Sequence, residues 1–144
     1  MKTEVINYQY KDKDYLGYVA YPDKDLAPLV LIAHTWAGRD SFVEERAKDL
    51  AGLGYVAMAV DMYGDGKIGN STEENQSLMT PLVENRDQLK GIINSALSRG
   101  KSLQGVDANK VAAIGYCFGG LVVLDLARSG TELNGVVSFH GLLM

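Results

Sequence analysis

Residues 110–120 read KVAAIGYCFGG, and this stretch decides the fold. Its first half, KVAAIG, is an apolar run of the kind that forms a strand buried on both faces of a sheet. The apolar run LVVLDLA at 121–127 follows at once and predicts a central helix. Between them, Gly115 and Gly119 flank Cys117 in the pattern glycine, any residue, nucleophile, any residue, glycine. The sequence therefore predicts a sharp elbow that presents Cys117 at the end of a strand.

Each position of this elbow has a physical reason. The turn forces its apex residue into an unfavourable backbone conformation, and glycines tolerate the crowding beside it because they lack a Cβ. The helix that begins there points free amides at the sulfur, which favours a thiolate and offers donors to a developing oxyanion. We expect the Phe118 N–H to be one of these donors. Many lone cysteines are only small buried hydrophobic residues, but the strand–elbow–helix context with the glycines at 115, 119 and 120 favours a nucleophile.

Outward from the elbow, buried strands alternate with helices. This alternation predicts a mostly parallel sheet with helices on both faces, which is the α/β class of fold. In front of it, residues 3–10 and 15–21 alternate polar and apolar side chains and predict an antiparallel hairpin with its turn at 11–14. The other predicted elements are buried strands at 29–34, 55–60 and 135–139, a helix from Ser41, with Glu44 as its capping box, to Gly54, and helices that begin at Ser71 and Thr80.

A second candidate segment, His34-Thr35-Trp36-Ala37-Gly38, follows the first buried strand. Parallel sheets carry their chemistry at the carboxyl ends of strands, and in hydrolases of this architecture this loop supplies the other oxyanion donor. We expect the Trp36 N–H in that role; an ordinary strand-to-helix turn is the alternative. The remaining residues predicted to border the site are His34, Thr35, Tyr63, Tyr116 and His140.

The segments 29–67, VDANKVAAIGYCFGG and GVVSFHG resemble the dienelactone hydrolase family of α/β-hydrolases over nearly the whole chain. The resemblance implies a Cys-His-Asp triad that acts on esters or lactones, with Cys117 as the nucleophile and Phe118 and Trp36 as the oxyanion donors. Well-known members of the family have a glutamate where this chain has Thr35.

In the family, the triad acid and histidine lie on loops after two strands that follow the nucleophile. Only His140 lies downstream of Cys117 here, and it matches the family's Phe-His-Gly at a strand end. We expect His34 to shape the oxyanion loop, Asp61 to accept backbone donors in a turn, and Asp125 to lie too far from the sulfur to orient a base. The resemblance therefore predicts one incomplete α/β-hydrolase domain over 1–144, with the C-terminal strands missing and with weak or no activity of its own.

That prediction leaves strand 135–139 as an open sheet edge. The chain is then either a fragment of a longer protein or a homodimer that pairs these edges.

The composition limits the classes of protein and of binding partner that the sequence allows. The 144 residues carry a formal charge of −4 and one cysteine, with 47% hydrophobic residues. This is typical of one ordinary domain that binds neither nucleic acid nor a membrane. No secretory leader is visible at the start, and a single cysteine makes neither a disulfide nor a cysteine-rich zinc site. We expect a cytoplasmic protein with no cofactor and no metal, whose partner is a small-molecule ester or lactone.

The residues alone leave three alternatives to an ester or lactone hydrolase open. Class I glutamine amidotransferases and DJ-1-like proteins share the strand–cysteine–helix elbow, although Gly119-Gly120-Leu121 fits neither of their usual motifs. A flavodoxin-like binding domain would use the loop 64–69 as a phosphate cradle, but that loop lacks the spacing of a P-loop. A degenerate hydrolase fold kept for binding is the third.

Overall fold

A computed structural model describes residues 1–140 of the chain as one six-stranded sheet in the order β1-β2-β4-β3-β5-β6. The hairpin strands β1 and β2 pair in antiparallel fashion, and β2 also pairs antiparallel with β4. The strands β4, β3, β5 and β6 are parallel to one another. The predicted α/β fold with an N-terminal hairpin is therefore confirmed. The strands are β1 (Lys2–Tyr10), β2 (Lys13–Tyr21), β3 (Ala27–Ala33), β4 (Val56–Ala59), β5 (Val106–Tyr116) and β6 (Gly135–Phe139).

Helices cover both faces of this sheet, as the alternation predicts. One face packs on α1 through small side chains such as Ala47, Ala51 and Ala57. The opposite face carries the larger core, in which α3 and α4 pack on β3, β5 and each other. The helices are α1 (Ser41–Gly52), α2 (Thr72–Glu84), α3 (Arg86–Lys101) and α4 (Phe118–Arg128). Within residues 1–140, no helix is both long and apolar enough to cross a membrane.

Several local expectations were wrong. The helix α1 has Asp40 as its N-cap and no capping box, because the Glu44 carboxylate pairs with Arg39 at 2.8 Å instead. Pro81 does not open a helix; it lies inside α2, whose last turn is anchored by buried Leu82, and α3 begins after the cap Asn85.

The hairpin turn and the last strand also differ from expectation. The turn is only Lys11 and Asp12, both with positive φ, which is typical of a two-residue turn that matches the twist of a hairpin. Strand β6 is the outermost strand of the described sheet, as the predicted open edge requires. It leaves Val137 and Phe139 48% and 43% exposed, so the prediction of a strand buried on both faces is wrong.

The parallel register brings the carboxyl ends of the central strands to one edge. Ala33 of β3 pairs with Gly115 of β5, and Tyr116 pairs with Phe139 of β6. The loop after β3, the turn after β5 and the residue after β6 therefore lie side by side. The candidate residues meet for this reason and not because they are close in sequence.

A buried ion cluster fixes α4 against α3. The Asp125 side chain on α4 is 1% exposed and accepts hydrogen bonds from Arg86 at 2.6 Å and from Arg128 at 3.0 Å. Burial by itself would raise the pKa of Asp125, but the hydrogen bonds from Arg86 and Arg128 outweigh it and hold that pKa below its ordinary value. Asp125 therefore serves the packing of the helix that follows Cys117.

Replacing Asp125 with alanine is expected to destabilise the fold by about 1.5 to 3 kcal/mol, because the charged hydrogen bonds from Arg86 and Arg128 are lost while both guanidinium groups keep access to water. The matched control is Asp49→Ala, which removes the exposed ion pair between Arg46 and Asp49 on α1 and should change stability little. Urea unfolding followed by circular dichroism measures both variants. Equal losses from the two variants would contradict the anchoring role of Asp125.

Candidate active site

Cys117 stands at the apex of the turn between β5 and α4. Its φ of 58° and ψ of −117° lie in a region that non-glycine residues rarely adopt. Hydrogen bonds hold it there: the Cys117 N–H donates to the Phe139 carbonyl at 2.8 Å, and the Cys117 carbonyl accepts from the Gly120 N–H at 2.9 Å. The thiol is exposed to solvent. The alternative of a small buried hydrophobic cysteine is therefore wrong.

The glycines beside Cys117 are required by close backbone contacts. A Cβ on Gly115 would overlap the carbonyl oxygen of Gly119, and a Cβ on Gly119 would overlap the carbonyl oxygen of Ala33. The Gly119 position also lies so close to β3 that its Cβ would stand 2.6 Å from the His34 carbonyl oxygen. The first turn of α4 thus rests directly on the end of β3.

The loop after β3 is held from several sides. The Tyr63 hydroxyl donates to the Trp36 carbonyl at 2.7 Å, and the Thr35 hydroxyl accepts from the Ala37 N–H at 3.2 Å. Further along, the Gly69 N–H donates to the Ala37 carbonyl at 2.9 Å, which ties the loop to the glycine-rich segment 64–70.

The two main-chain amides predicted as oxyanion donors have no recorded acceptor in the described part of the chain. Among residues 1–140, neither the Trp36 N–H nor the Phe118 N–H donates a hydrogen bond. Both belong to segments that the Gly119 contact brings together. Their predicted role as oxyanion donors fits this geometry and stays a prediction.

His34 is buried and both of its ring nitrogens are occupied. Nε2 lies 3.0 Å from the Met62 N–H, and Nδ1 lies 2.6 Å from the Thr35 carbonyl oxygen. Burial lowers the pKa of His34, so the ring stays neutral at pH 7. With no free nitrogen, His34 is unsuited to act as a general base. Its ring contacts the Thr35 carbonyl oxygen, and its predicted part in shaping an oxyanion loop stays a prediction.

Asp61 is saturated by main-chain donors. Its Oδ1 accepts the Tyr63 and Gly64 N–H groups, each at 3.0 Å, and its Oδ2 accepts the Leu16 N–H at 3.0 Å and the Gly66 N–H at 2.8 Å. The expectation of a turn-closing carboxylate is met, and no lone pair is left in position for a base. Sequence reasoning missed the hydroxyl of Tyr8, which accepts the Asp61 N–H at 2.7 Å and joins the hairpin to this turn.

The aromatic residues divide between the two faces of the sheet. The rings of His34, Tyr63 and Phe118 pack together, with centroids 4.8 to 5.9 Å apart. Tyr116 packs on the face that α1 covers. Its ring stacks on Phe139 and makes an edge-to-face contact with Phe42 of α1, each with a centroid distance of 5.1 Å. The sequence predicts that Tyr116 borders the site; its ring packs between Phe42 of α1 and Phe139 of β6, and its role at the site stays a prediction.

His140, the last described residue, follows β6. It is exposed and has a φ of 54°. Its backbone neighbour Phe139 accepts the Cys117 N–H, so the chain at His140 lies near the turn. The predicted role of His140 as a residue bordering the site stays a prediction.

The sheet order, the helices on both faces and the strained turn between β5 and α4 define an α/β-hydrolase-type protein. Residues 16–144 match the model of the dienelactone hydrolase family, and the chain belongs to that family. This assignment speaks against the glutamine amidotransferase, DJ-1-like and flavodoxin-like alternatives.

Three similar proteins illustrate the relationship. The carboxymethylenebutenolidase of Pseudomonas putida is 28% identical over 148 residues, which cover 99% of this chain and 62% of that protein. A putative carboxymethylenebutenolidase of Yersinia pestis is 27% identical over 133 residues, covering 89% of this chain and 49% of that one. A solved dienelactone hydrolase-like promiscuous phosphotriesterase from metagenomic libraries is 30% identical, with a TM-score of 0.94 over 99% of this chain and 60% of its own. The chain thus spans 49% to 62% of the length of these relatives.

The contact of Gly119 with β3 yields a direct prediction. Gly119→Ala should destabilise the fold by about 3 kcal/mol or more, since the overlap is with backbone that has no room to move. The matched control, Gly52→Ala at the end of α1, places its methyl group where no atom lies within 4 Å. It should be neutral or stabilising by up to ~1 kcal/mol. Thermal unfolding of both variants provides the measurement, and a Gly119→Ala protein as stable as the parent would show that α4 does not rest on β3.

Proposed function

We propose that the chain is the nucleophile-bearing part of a carboxylic-ester or lactone hydrolase, with Cys117 as the nucleophile of the elbow. The observation that carries the proposal is the Cys117 backbone, strained at φ 58° while its thiol stays exposed at the N-terminus of α4. Backbone strain that close packing maintains is found preferentially at functional sites. The family membership supports hydrolysis as the reaction class.

The chemistry assigned to the site is acyl transfer. The thiolate of Cys117 forms a bond to the carbonyl carbon of the substrate, and the carbonyl oxygen takes up the negative charge. The N–H groups of Trp36 and Phe118 would donate to that oxygen, and one such donor is worth roughly 10²- to 10³-fold in rate. When this tetrahedral oxyanion collapses, the bond to the alkoxide breaks and a thioester remains. Water then hydrolyses the thioester to the acid and the free thiol.

We assign no general base among residues 1–140; His140 is exposed and its backbone lies near the turn, but its place at the border of the site stays a prediction. Within residues 1–140, both nitrogens of His34 are occupied, and the carboxylates of Asp61 and Asp125 are saturated by donors. General-base assistance is worth ~10²- to 10⁴-fold. A cysteine partly offsets its absence, because it is intrinsically nucleophilic. We therefore propose that the chain alone forms a thioester but turns over slowly.

The substrate and assembly belong to the same proposal. A small-molecule ester or lactone is the substrate class that the names of the relatives suggest, since several are carboxymethylenebutenolidases or lactonases. A phosphotriester is a second class to assay, because one solved relative is described as a promiscuous phosphotriesterase. The homodimer through the β6 edge stays a prediction that light scattering tests, and the cytoplasmic location stays a prediction as well.

The test is the reaction of the chain with p-nitrophenyl acetate. We expect a burst of one p-nitrophenolate per chain, followed by slow turnover, because acylation of Cys117 precedes a deacylation step without a base. Cys117→Ala should abolish the burst. Cys117→Ser should lose nearly all of it, since a hydroxyl stays protonated without a base whereas a thiol is partly ionised. Mass spectrometry should locate the acetyl group on Cys117.

A different result would separate the alternatives. A Cys117→Ala protein that releases p-nitrophenolate as fast as the parent would overturn the nucleophile assignment. A folded parent chain with no burst at all would favour a degenerate hydrolase fold that only binds. Circular dichroism of the variants confirms that each is folded.

A further inference from the structure

We propose that His34 is a positioning residue that orients the Trp36 N–H for oxyanion binding by holding the Thr35 carbonyl oxygen. The inference rests on the proposed function of Cys117 and goes beyond it. The His34 ring is fully buried and has no free nitrogen for proton transfer. Its part in acyl transfer would be to orient a donor.

The tautomer of His34 follows from its partners. The Met62 N–H, 3.0 Å from Nε2, is a backbone group that can only donate, so Nε2 carries no proton and accepts. A neutral imidazole then carries its proton on Nδ1, where the Thr35 carbonyl oxygen at 2.6 Å can only accept. Both hydrogen bonds are therefore satisfied by one tautomer, and a protonated ring would place two N–H groups face to face at Met62.

The consequence concerns the peptide between Thr35 and Trp36. In a trans peptide the C=O and the N–H point in opposite directions, and residues 1–140 contain no cis peptide bond. The Thr35 oxygen is held by His34 Nδ1 and by the Gly38 N–H at 3.2 Å. With its oxygen fixed toward the buried ring, this peptide has to direct the Trp36 N–H away from that ring. That amide has no acceptor within residues 1–140.

The next peptide plane is fixed independently. The Trp36 carbonyl accepts the Tyr63 hydroxyl at 2.7 Å, and the Ala37 N–H donates to the Thr35 hydroxyl at 3.2 Å. The Tyr63 and Phe118 rings pack against His34 and restrain its orientation. The Trp36 N–H has no acceptor among residues 1–140, as expected for a donor that is kept for a transient charge.

Two variants of similar chemistry separate this role from general support of the fold. In His34→Asn, the amide group branches at Cγ, so its nitrogen can stand where Nδ1 stood and still donate to Thr35. In His34→Gln, the amide lies one carbon further out, where it can accept from Met62 as Nε2 did, but it no longer reaches Thr35. Each variant keeps one of the two hydrogen bonds and loses the other.

Two reactions of the same sulfur provide the readout. Acylation by p-nitrophenyl acetate forms the S–C bond and breaks the C–O bond, with p-nitrophenolate leaving, and it passes through an oxyanion. Alkylation by iodoacetamide forms an S–C bond with loss of iodide and develops no such charge. The ratio of the two single-turnover rates therefore reports on the oxyanion donors and corrects for any change in exposure or ionisation of Cys117.

We expect His34→Gln to lower the acylation-to-alkylation ratio by ~10²-fold, the effect of losing one oxyanion donor. His34→Asn should recover at least ~10-fold of that loss. Circular dichroism and thermal unfolding establish which variants fold. Should the Gln variant fail to fold, His34→Asn still tests the role. It keeps the hydrogen bond to the Thr35 carbonyl oxygen, so its ratio should stay within ~10-fold of the parent's.

The outcomes are distinguishable. Equal ratios in the parent and the folded Gln variant would overturn the positioning role while leaving Cys117 as the nucleophile. Equal losses in the Asn and Gln variants would also overturn it, because they would indicate a merely structural role. If the Gln variant does not fold, a ratio in a folded His34→Asn variant that falls by ~10²-fold counts against the inference. A parent chain whose Cys117 is alkylated but never acylated would overturn the proposed function, and the inference with it.

Discussion

The close approach of Gly119 to the end of β3 is the constraint on which the rest of the site depends. Because no Cβ stands between the first turn of α4 and the Ala33 carbonyl oxygen, helix and strand meet backbone to backbone. The chain has to reverse within one residue to achieve this, and Cys117 takes the strained φ as a result. The exposure of the Cys117 thiol thus follows from the backbone contact at Gly119, two residues further along the chain.

The same contact places the loop after β3 beside the turn, and buried polar groups then fix that loop. The His34, Tyr63 and Asp61 side chains all bond to main-chain groups, which belong to this loop, to residues 62–66 and, for Asp61, also to Leu16 of β2. Buried polar groups are costly unless satisfied, so this network specifies one backbone arrangement. A site built in this way can present main-chain amides without rearranging when charge develops.

Much of this could be predicted from the sequence because the signals were local. The run KVAAIGYCFGG contains the strand, the bend and the helix start, and the apolar runs predicted the other central strands. The role of Tyr63 could not be predicted, since its hydroxyl bonds a backbone carbonyl that leaves no side-chain signature. The prediction of a capping box at Ser41 was wrong because Glu44 pairs with Arg39. The predicted helix start at Thr80 was wrong because α2 continues through it to Glu84, with Leu82 buried in its last turn. The exposure of β6 depends on its place at the edge of the described sheet, which no local pattern encodes.

The most direct test of the account is a crystal structure of the chain with a trifluoromethyl ketone bound covalently to Cys117. Such an adduct forms a tetrahedral carbon whose oxygen imitates the oxyanion of acyl transfer. The account predicts that this oxygen lies about 2.7 to 3.1 Å from both the Trp36 and the Phe118 nitrogens. An adduct whose oxygen points into solvent, away from both amides, would contradict it.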